Sequence, residues 1–171
     1  MTAPVPTIRA AAAPDVPAIL ALIRDLAEFE QLGHLVRATE DDLRQALFGT
    51  PATAEVLIAD CDGSIAGFAL FFHNFSTFLG RRGLWLEDLY VRPAFRRRGC
   101  AQALLRRLAA IAGERGCGRF EWAVLDWNAE AIRFYEALGG TVLPDWRIVR
   151  VSGPALAAMA AGDTAPGGSS G

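Results

Sequence analysis

The stretch from residue 84 to residue 115 constrains this chain most. Residues 84 to 91 read as a β-strand, residues 92 to 98 as a basic connector holding Pro93, and residues 99 to 115 as an alanine- and leucine-rich helix that Gly116 ends. The rest of the chain reads around this strand, turn and helix. Residues 5 to 10 are a short extended run, and Pro14, Asp15 and Pro17 open a helix whose apolar Ile19, Leu22, Ile23, Leu26 and Phe29 recur at helical spacing. Thr39 followed by Asp42 is a capping pattern for a helix over residues 40 to 48, with Gly49 as its stop. Residues 56 to 60 and 64 to 72 read as strands joined across Cys61, Asp62 and Gly63, where Asp-Gly signals a hairpin. Residues 73 to 83 read as a loop carrying Phe75 and Phe78, of the kind that lines pockets.

After Gly116, residues 119 to 125 read as a strand, Asn128 caps a helix that Gly139 and Gly140 stop, residues 146 to 151 read as a further strand, and residues 154 to 161 as a short helix. The order is that of a mixed α/β domain. It is expected to occupy residues 1 to 161, with a glycine- and serine-rich, disordered tail over residues 162 to 171.

Composition removes several kinds of chemistry. The chain has 171 residues and no lysine, so all 17 basic side chains are arginine. A Walker-type phosphate loop, a pyridoxal Schiff base and a lysine general base are therefore excluded. The net charge of −2 argues against broad attraction to nucleic acid. Cys61, Cys100 and Cys117 are odd in number, far apart in sequence and without a C-x-x-C pair, which speaks against a disulfide framework or a zinc ribbon. No uninterrupted run of about eighteen apolar residues and no signal-peptide pattern occurs, so the expected location is the cytoplasm, without a membrane partner. Arginine in place of lysine, with abundant alanine, suggests a GC-rich bacterial genome.

Arg96-Arg97-Arg98-Gly99-Cys100-Ala101 stands between the strand and the long helix. The first amides of a helix have no intrahelical acceptor and carry partial positive charge, so a small residue there lets phosphate oxygens reach the backbone. Gly99 supplies the access, the arginines add donors and charge, and Ala101 keeps the next close approach small. A pyrophosphate fits. The G-x-G-x-x-G dinucleotide pattern is absent.

What remains is R/Q-x-x-G-x-G/A, and with it the chain resembles the GNAT superfamily of N-acetyltransferases. Trp85-Leu86-Glu87-Asp88-Leu89-Tyr90-Val91 before the cradle, Trp127-Asn128 and Phe134-Tyr135 after it, and Leu26-Ala27-Glu28-Phe29-Glu30 near the start are similar to its diamine and thialysine branch. The resemblance covers residues 7 to about 161. It implies the acyl-CoA N-acyltransferase fold, a mixed, mostly antiparallel central sheet flanked by helices. It also implies acetyl-CoA as co-substrate with no metal, a small primary amine as acceptor and a homodimer. In that setting Arg96, Arg97, Arg98, Gly99, Cys100 and Ala101 would hold the pyrophosphate, while Leu89, Tyr90, Val91 and Asn128 would hold the pantetheine arm. Two departures stand out: Arg97 replaces a glycine common in the family's loop, and residues 74 to 80 lack an acid found in polyamine-specific members, which counts against long polyamines.

Transfer to a protonated amine needs a base, and the departing thiolate needs a proton. Strand alternation sets Trp85, Glu87, Leu89 and Val91 on one face, which places Glu87 among apolar neighbours, where lost solvation raises a carboxylate's pKa. The resemblance implies that Glu87 binds or deprotonates the amine; the alternative is a buried structural acid. A bulge would reverse the parity and put Asp88 in that position. The resemblance implies that Tyr135 is the general acid, against an ordinary core aromatic beside Ile132, Phe134 and Leu138. Asn128 is either a pantetheine ligand or only a helix cap, and Glu30, with Glu28 behind it, is a candidate acidic wall for the acceptor. Cys100, a thiol at a helix N-terminus beside arginines, has a route to a depressed pKa and a nucleophilic role, or is simply a small residue. His34 and His73 read as loop residues rather than metal ligands. Opposed to the enzyme is a catalytically silent acyl-CoA sensor or partner-binding module on the same fold. RNA binding through the arginines is disfavoured, because no aromatic run interleaves with them.

Overall fold

The computed structural model describes residues 6 to 162. The chain forms two compact units, Met1–Ala123 and Val124–Gly171. In the first, strands β1 (Thr7–Ala10), β2 (Glu55–Cys61), β3 (Ser64–Ser76), β4 (Arg81–Val91) and β5 (Phe120–Trp122) lie side by side in that order. The first four run antiparallel, and β5 lies parallel to β4. Helices α1 (Val16–Phe29) and α2 (Glu40–Phe48) precede β2, and α3 (Cys100–Glu114) connects β4 to β5.

Local chemistry accounts for the boundaries. Thr39 Oγ1 accepts the Asp42 amide at 3.2 Å and the Asp42 carboxylate accepts the Thr39 amide at 2.9 Å, a reciprocal cap that starts α2 where the sequence places it. At the β2–β3 turn Asp62 and Gly63 both take left-handed φ, +55° and +75°, which matches a tight turn to the strand twist. Val56, Ile58, Phe68, Leu70 and Tyr90 point from one face of the sheet into a core closed by Val16, Ile19, Leu20 and Leu22 of α1 and Leu43 and Leu47 of α2. Side chains of this kind contribute about 1.5–3 kcal/mol each on burial. The opposite face receives α3, whose buried Cys100, Leu104, Leu105, Leu108, Ile111 and Ala112 form a helical stripe. Its contacts there include the Arg115 guanidinium 5.9 Å from the centre of the Phe71 ring.

Three expectations are corrected. Residues 73 to 83 are no pocket-lining loop: β3 continues to Ser76 and β4 begins at Arg81, with Asn74 opposite Gly83 and Ser76 opposite Arg81. Phe75 is exposed and Phe78 stands at 97% exposure near the hairpin tip. Cross-strand pairing with an established neighbour extends the hairpin through residues of weak strand propensity. His73 accordingly lies in β3, where burial first and then the Arg115 and Arg82 charges lower its pKa. The strand expected over residues 119 to 125 is only Phe120–Trp122.

The second unit holds α4 (Ala129–Ala137) and α5 (Gly153–Ala161). Asn128 caps α4, its Oδ1 accepting the Ala131 amide at 3.2 Å, and Gly139 follows the helix with φ +92°. Residues 146 to 151 form no strand, and Trp146, Ile148 and Val149 are exposed. Their apolar, β-branched pattern needs a neighbouring strand to become a ladder, and no described strand pairs with it. The tail expected over residues 162 to 171 lies outside the described residues from residue 163 onward.

Candidate active site

The register between β3 and β4 decides which carboxylate is enclosed. Leu70 pairs with Asp88 and Phe71 with Leu86, so Glu87 is the extra residue of a β-bulge. Beyond it the alternation flips: Asp88 joins the face of Leu70 and Tyr90, and Glu87 is exposed. The expectation that Glu87 sits on an apolar face is therefore wrong, and the reason is the inserted residue. The Glu87 carboxylate accepts a hydrogen bond from the Trp85 indole Nε1 at 2.9 Å.

Asp88 is half-buried. Loss of solvation, then the negative charges of Glu87 and Glu30, push its carboxyl up to about 6. Glu30, at the C-terminal cap of α1, is itself raised by burial. Glu30, Glu87 and Asp88 thus share one electrostatic neighbourhood, as an acceptor site for a cation requires. Glu28 does not join them. Its carboxylate folds over Gly33, filling the space that a Cβ there would need. That glycine is the one sequence signal that separates Glu28 from Glu30.

Leu89, Tyr90 and Val91 follow the bulge and pair on one side with Ala69, Phe68 and Gly67 of β3. On the other side the parallel ladder to β5 ends at Leu86 opposite Trp122. Past the bulge, β4 continues to Val91 beyond the described ladder with β5, which leaves a strand edge of the kind that an extended chain can pair with.

Beyond β4 the chain makes a one-turn helix at Pro93–Phe95 and enters α3 through the arginine run. Arg96 ties this loop to the strand: its Nε donates to the Val91 carbonyl oxygen at 3.1 Å, and its guanidinium lies 5.3 Å from the Phe29 ring centre and 5.8 Å from that of Tyr90. Arg98 rests 5.6 Å over the Phe95 ring, and Arg97 is exposed. Gly99 is the N-cap of α3 with φ +79°, no side chain caps the helix, and a Cβ at Gly99 would meet open space. Uncapped amides, an open glycine and exposed guanidinium groups suit a diphosphate.

Arg97 takes φ +60°, the left-handed conformation that the usual glycine adopts without strain. Arg97→Gly and Arg97→Ala both remove the guanidinium but differ in tolerance of this φ. The glycine variant is expected to be the more stable by about 1 kcal/mol in denaturant unfolding.

Cys100 is 2% exposed. Burial first, then the neighbouring Cys61 thiol, push its pKa up to about 11, so the depressed pKa that a helix N-terminus suggested is not realised: the sulfur points inward, away from solvent. This speaks against Cys100 as a catalytic nucleophile in acetyl transfer at neutral pH. Tyr135 and Asn128 belong to the second unit, Tyr135 on α4 with its ring 5.5 Å from that of Phe134, and Asn128 as the cap of that helix. Among the described residues no group of three or more His, Cys, Asp or Glu could hold a metal ion, and no helix is long and apolar enough to cross a membrane.

Comparison with known proteins agrees with this geometry. The profile of the Acetyltransferase (GNAT) family matches residues 19 to 140. The chain is 34% identical to an L-ornithine N5-acetyltransferase of Arabidopsis thaliana, over 89% of this chain and 86% of that one. It is 36% identical to a thialysine N-epsilon-acetyltransferase of Mus musculus, over 90% and 96%. Among solved structures, an integron cassette protein of V. cholerae superposes with a TM-score of 0.76 at 23% identity, covering 91% of this chain and 98% of that one, a likeness of fold. With a β4 that bulges and outruns its parallel neighbour, and an open glycine at the start of α3, the chain belongs to the GNAT family of acetyltransferases.

Proposed function

We propose that this acetyltransferase moves an acetyl group from acetyl-CoA to the primary amine of a small, cationic acceptor of diamine, thialysine or amino-acid type, with Asp88 rather than Glu87 as the base. The observation that carries this reading is the enclosed, raised carboxyl of Asp88 on the same strand that leads into the cradle. A group with pKa about 6 is ionised at neutral pH yet basic enough to assist removal of an ammonium proton. Glu30 and Glu87 supply the field that draws in the cation.

The diphosphate of acetyl-CoA lies against Gly99 and the amides of Cys100 and Ala101, with Arg97 and Arg98 neutralising its charge. Arg96 holds the loop in place. The arm runs along Leu89, Tyr90 and Val91, and Asn128 is its further ligand in this reading. The amine attacks the thioester carbonyl directly in a ternary complex. Its nitrogen–carbon bond forms as the carbon–sulfur bond breaks, a backbone amide of β4 receives the oxyanion, and Tyr135 returns a proton to the thiolate. The working form in this reading is a cytoplasmic homodimer.

Release of free thiol from acetyl-CoA, followed across ornithine, thialysine, lysine and short diamines, tests the activity. Turnover with at least one of them is expected; binding of acetyl-CoA without turnover on any would favour the silent sensor. Gly99→Val addresses the cradle. Valine does not tolerate φ +79°, so the amides shift, and the Kd for acetyl-CoA is expected to rise at least about tenfold by calorimetry with the fold retained.

A further inference from the structure

Cys61 and Cys100 are 39 positions apart in sequence, and nothing in their spacing pairs them. The fold brings their Sγ atoms to 3.4 Å, with Cys61 1% and Cys100 2% exposed. Cys61 ends β2 directly before the Asp62-Gly63 turn, and Cys100 is the first residue of α3, directly after Gly99. The thiols therefore join the rigid sheet to the first turn of the phosphate cradle. Cys117, the remaining thiol, is partly exposed and has no such partner among the described cysteines.

We propose that Cys61 and Cys100 are a latent disulfide site, whose oxidation by a hydroperoxide draws the start of α3 toward β2 and loosens the grip of the cradle on acetyl-CoA. The effect on acetyl-CoA rests on the reading of the cradle given above. A disulfide requires an S–S distance near 2.05 Å, so the sulfurs must close by more than an ångström. Gly99 and the amide of Cys100 are attached to one end of that movement. An anion site made of backbone amides depends on their direction and does not survive such a shift with its affinity unchanged.

The chemistry balances in two steps. One thiolate attacks the peroxide, breaking the O–O bond, to give a sulfenic acid and hydroxide, which takes up the proton the thiol lost and leaves as water. The second thiolate then attacks the sulfenic sulfur, forming the S–S bond and expelling hydroxide, which leaves as a second water after protonation. Two thiols are oxidised by two electrons, and one peroxide is reduced to two waters. Hydrogen peroxide is small enough to reach sulfurs that a bulky disulfide oxidant cannot. The raised pKa of Cys100 makes the reaction slow at neutral pH and faster as pH rises.

Linkage supplies an internal check. If the bridge weakens acetyl-CoA binding, acetyl-CoA must oppose the bridge by the same factor. Acetyl-CoA carries a thioester rather than a free thiol, so it does not act as a reductant in the test.

The full chain is treated with hydrogen peroxide, residual peroxide is removed, and disulfides are mapped by peptide mass spectrometry. Acetyl-CoA affinity is measured by calorimetry before oxidation, after it and after dithiothreitol. The expected result is a peptide pair linking Cys61 to Cys100, a Kd higher by about fivefold or more, recovery on reduction, and less bridge when acetyl-CoA is present during oxidation. Cys61→Ala, a small change outside the cradle, should bind acetyl-CoA as the wild type does and keep that affinity after peroxide; an equal loss of affinity in this variant would place the effect at Cys100 alone or at Cys117 and overturn the proposal. Absence of the linked peptides, or a bridge that leaves the Kd unchanged, overturns the proposal. Failure of the reduced protein to bind acetyl-CoA would instead refute the cradle.

Discussion

Asp88→Asn is expected to lower turnover of a primary amine at neutral pH by roughly 10²-fold or more, with acetyl-CoA affinity nearly unchanged. The side chain keeps its shape but loses both its negative charge and its ability to accept a proton. In the wild type, kcat/KM should fall on the acid side of about pH 6, where the carboxyl takes up its proton, and the variant should lack that limb. Stability should move in the opposite direction. The folded-state pKa lies above the ordinary value, so folding favours the protonated form. Stability is therefore lost as pH rises from about 4 through 6, and the whole cost is present above that window. Two pKa units correspond to on the order of 3 kcal/mol. At pH 7 the variant should consequently melt higher than the wild type, and near pH 4 the two should converge. A variant that is slower but no more stable at neutral pH would mean that the carboxylate is not paying a desolvation cost, and so is not the raised base.

Tyr135→Phe is the second large effect. Removal of one hydroxyl should slow acetyl transfer by roughly 10²-fold or more, while acetyl-CoA binds as before, because a proton donor to the leaving sulfur acts in the transition state and not in the ground state. Poor leaving groups expose such a role best, so the deficit should shrink with an acyl donor whose thiol is more acidic than coenzyme A. Wild-type turnover by this variant would eliminate Tyr135 as the acid. A raised Kd with unchanged kcat would make it a binding residue instead.

Much of this could be read from residues alone because the signals were local. The Thr39–Asp42 cap, the Asp62-Gly63 turn and the Gly99 helix start each depend on a few adjacent residues, and each lies where the sequence indicates. The exchange of Glu87 for Asp88 was open in the sequence only as a conditional. A bulge is a property of two paired strands, and this one lies opposite Leu70 and Phe71 of β3, remote in sequence from the acids it reorients. The proximity of Cys61 and Cys100 was invisible for a similar reason, since the β2–β3–β4 meander has to be assembled before those positions meet. Residues 146 to 151 failed in the other direction: their pattern promises a strand, but a strand exists only where a partner offers its hydrogen bonds.

In the proposed reaction the backbone around Gly99 grips the diphosphate of acetyl-CoA and directs its acyl end toward Asp88. A crystal structure of the acetyl-CoA complex tests it most directly. The expected result is diphosphate oxygens within hydrogen-bond distance of the Gly99, Cys100 or Ala101 amides and the arm lying along Leu89 to Val91, with the thioester beside the bulge. A diphosphate bound elsewhere, with the start of α3 vacant or closed by its own arginines, would contradict it.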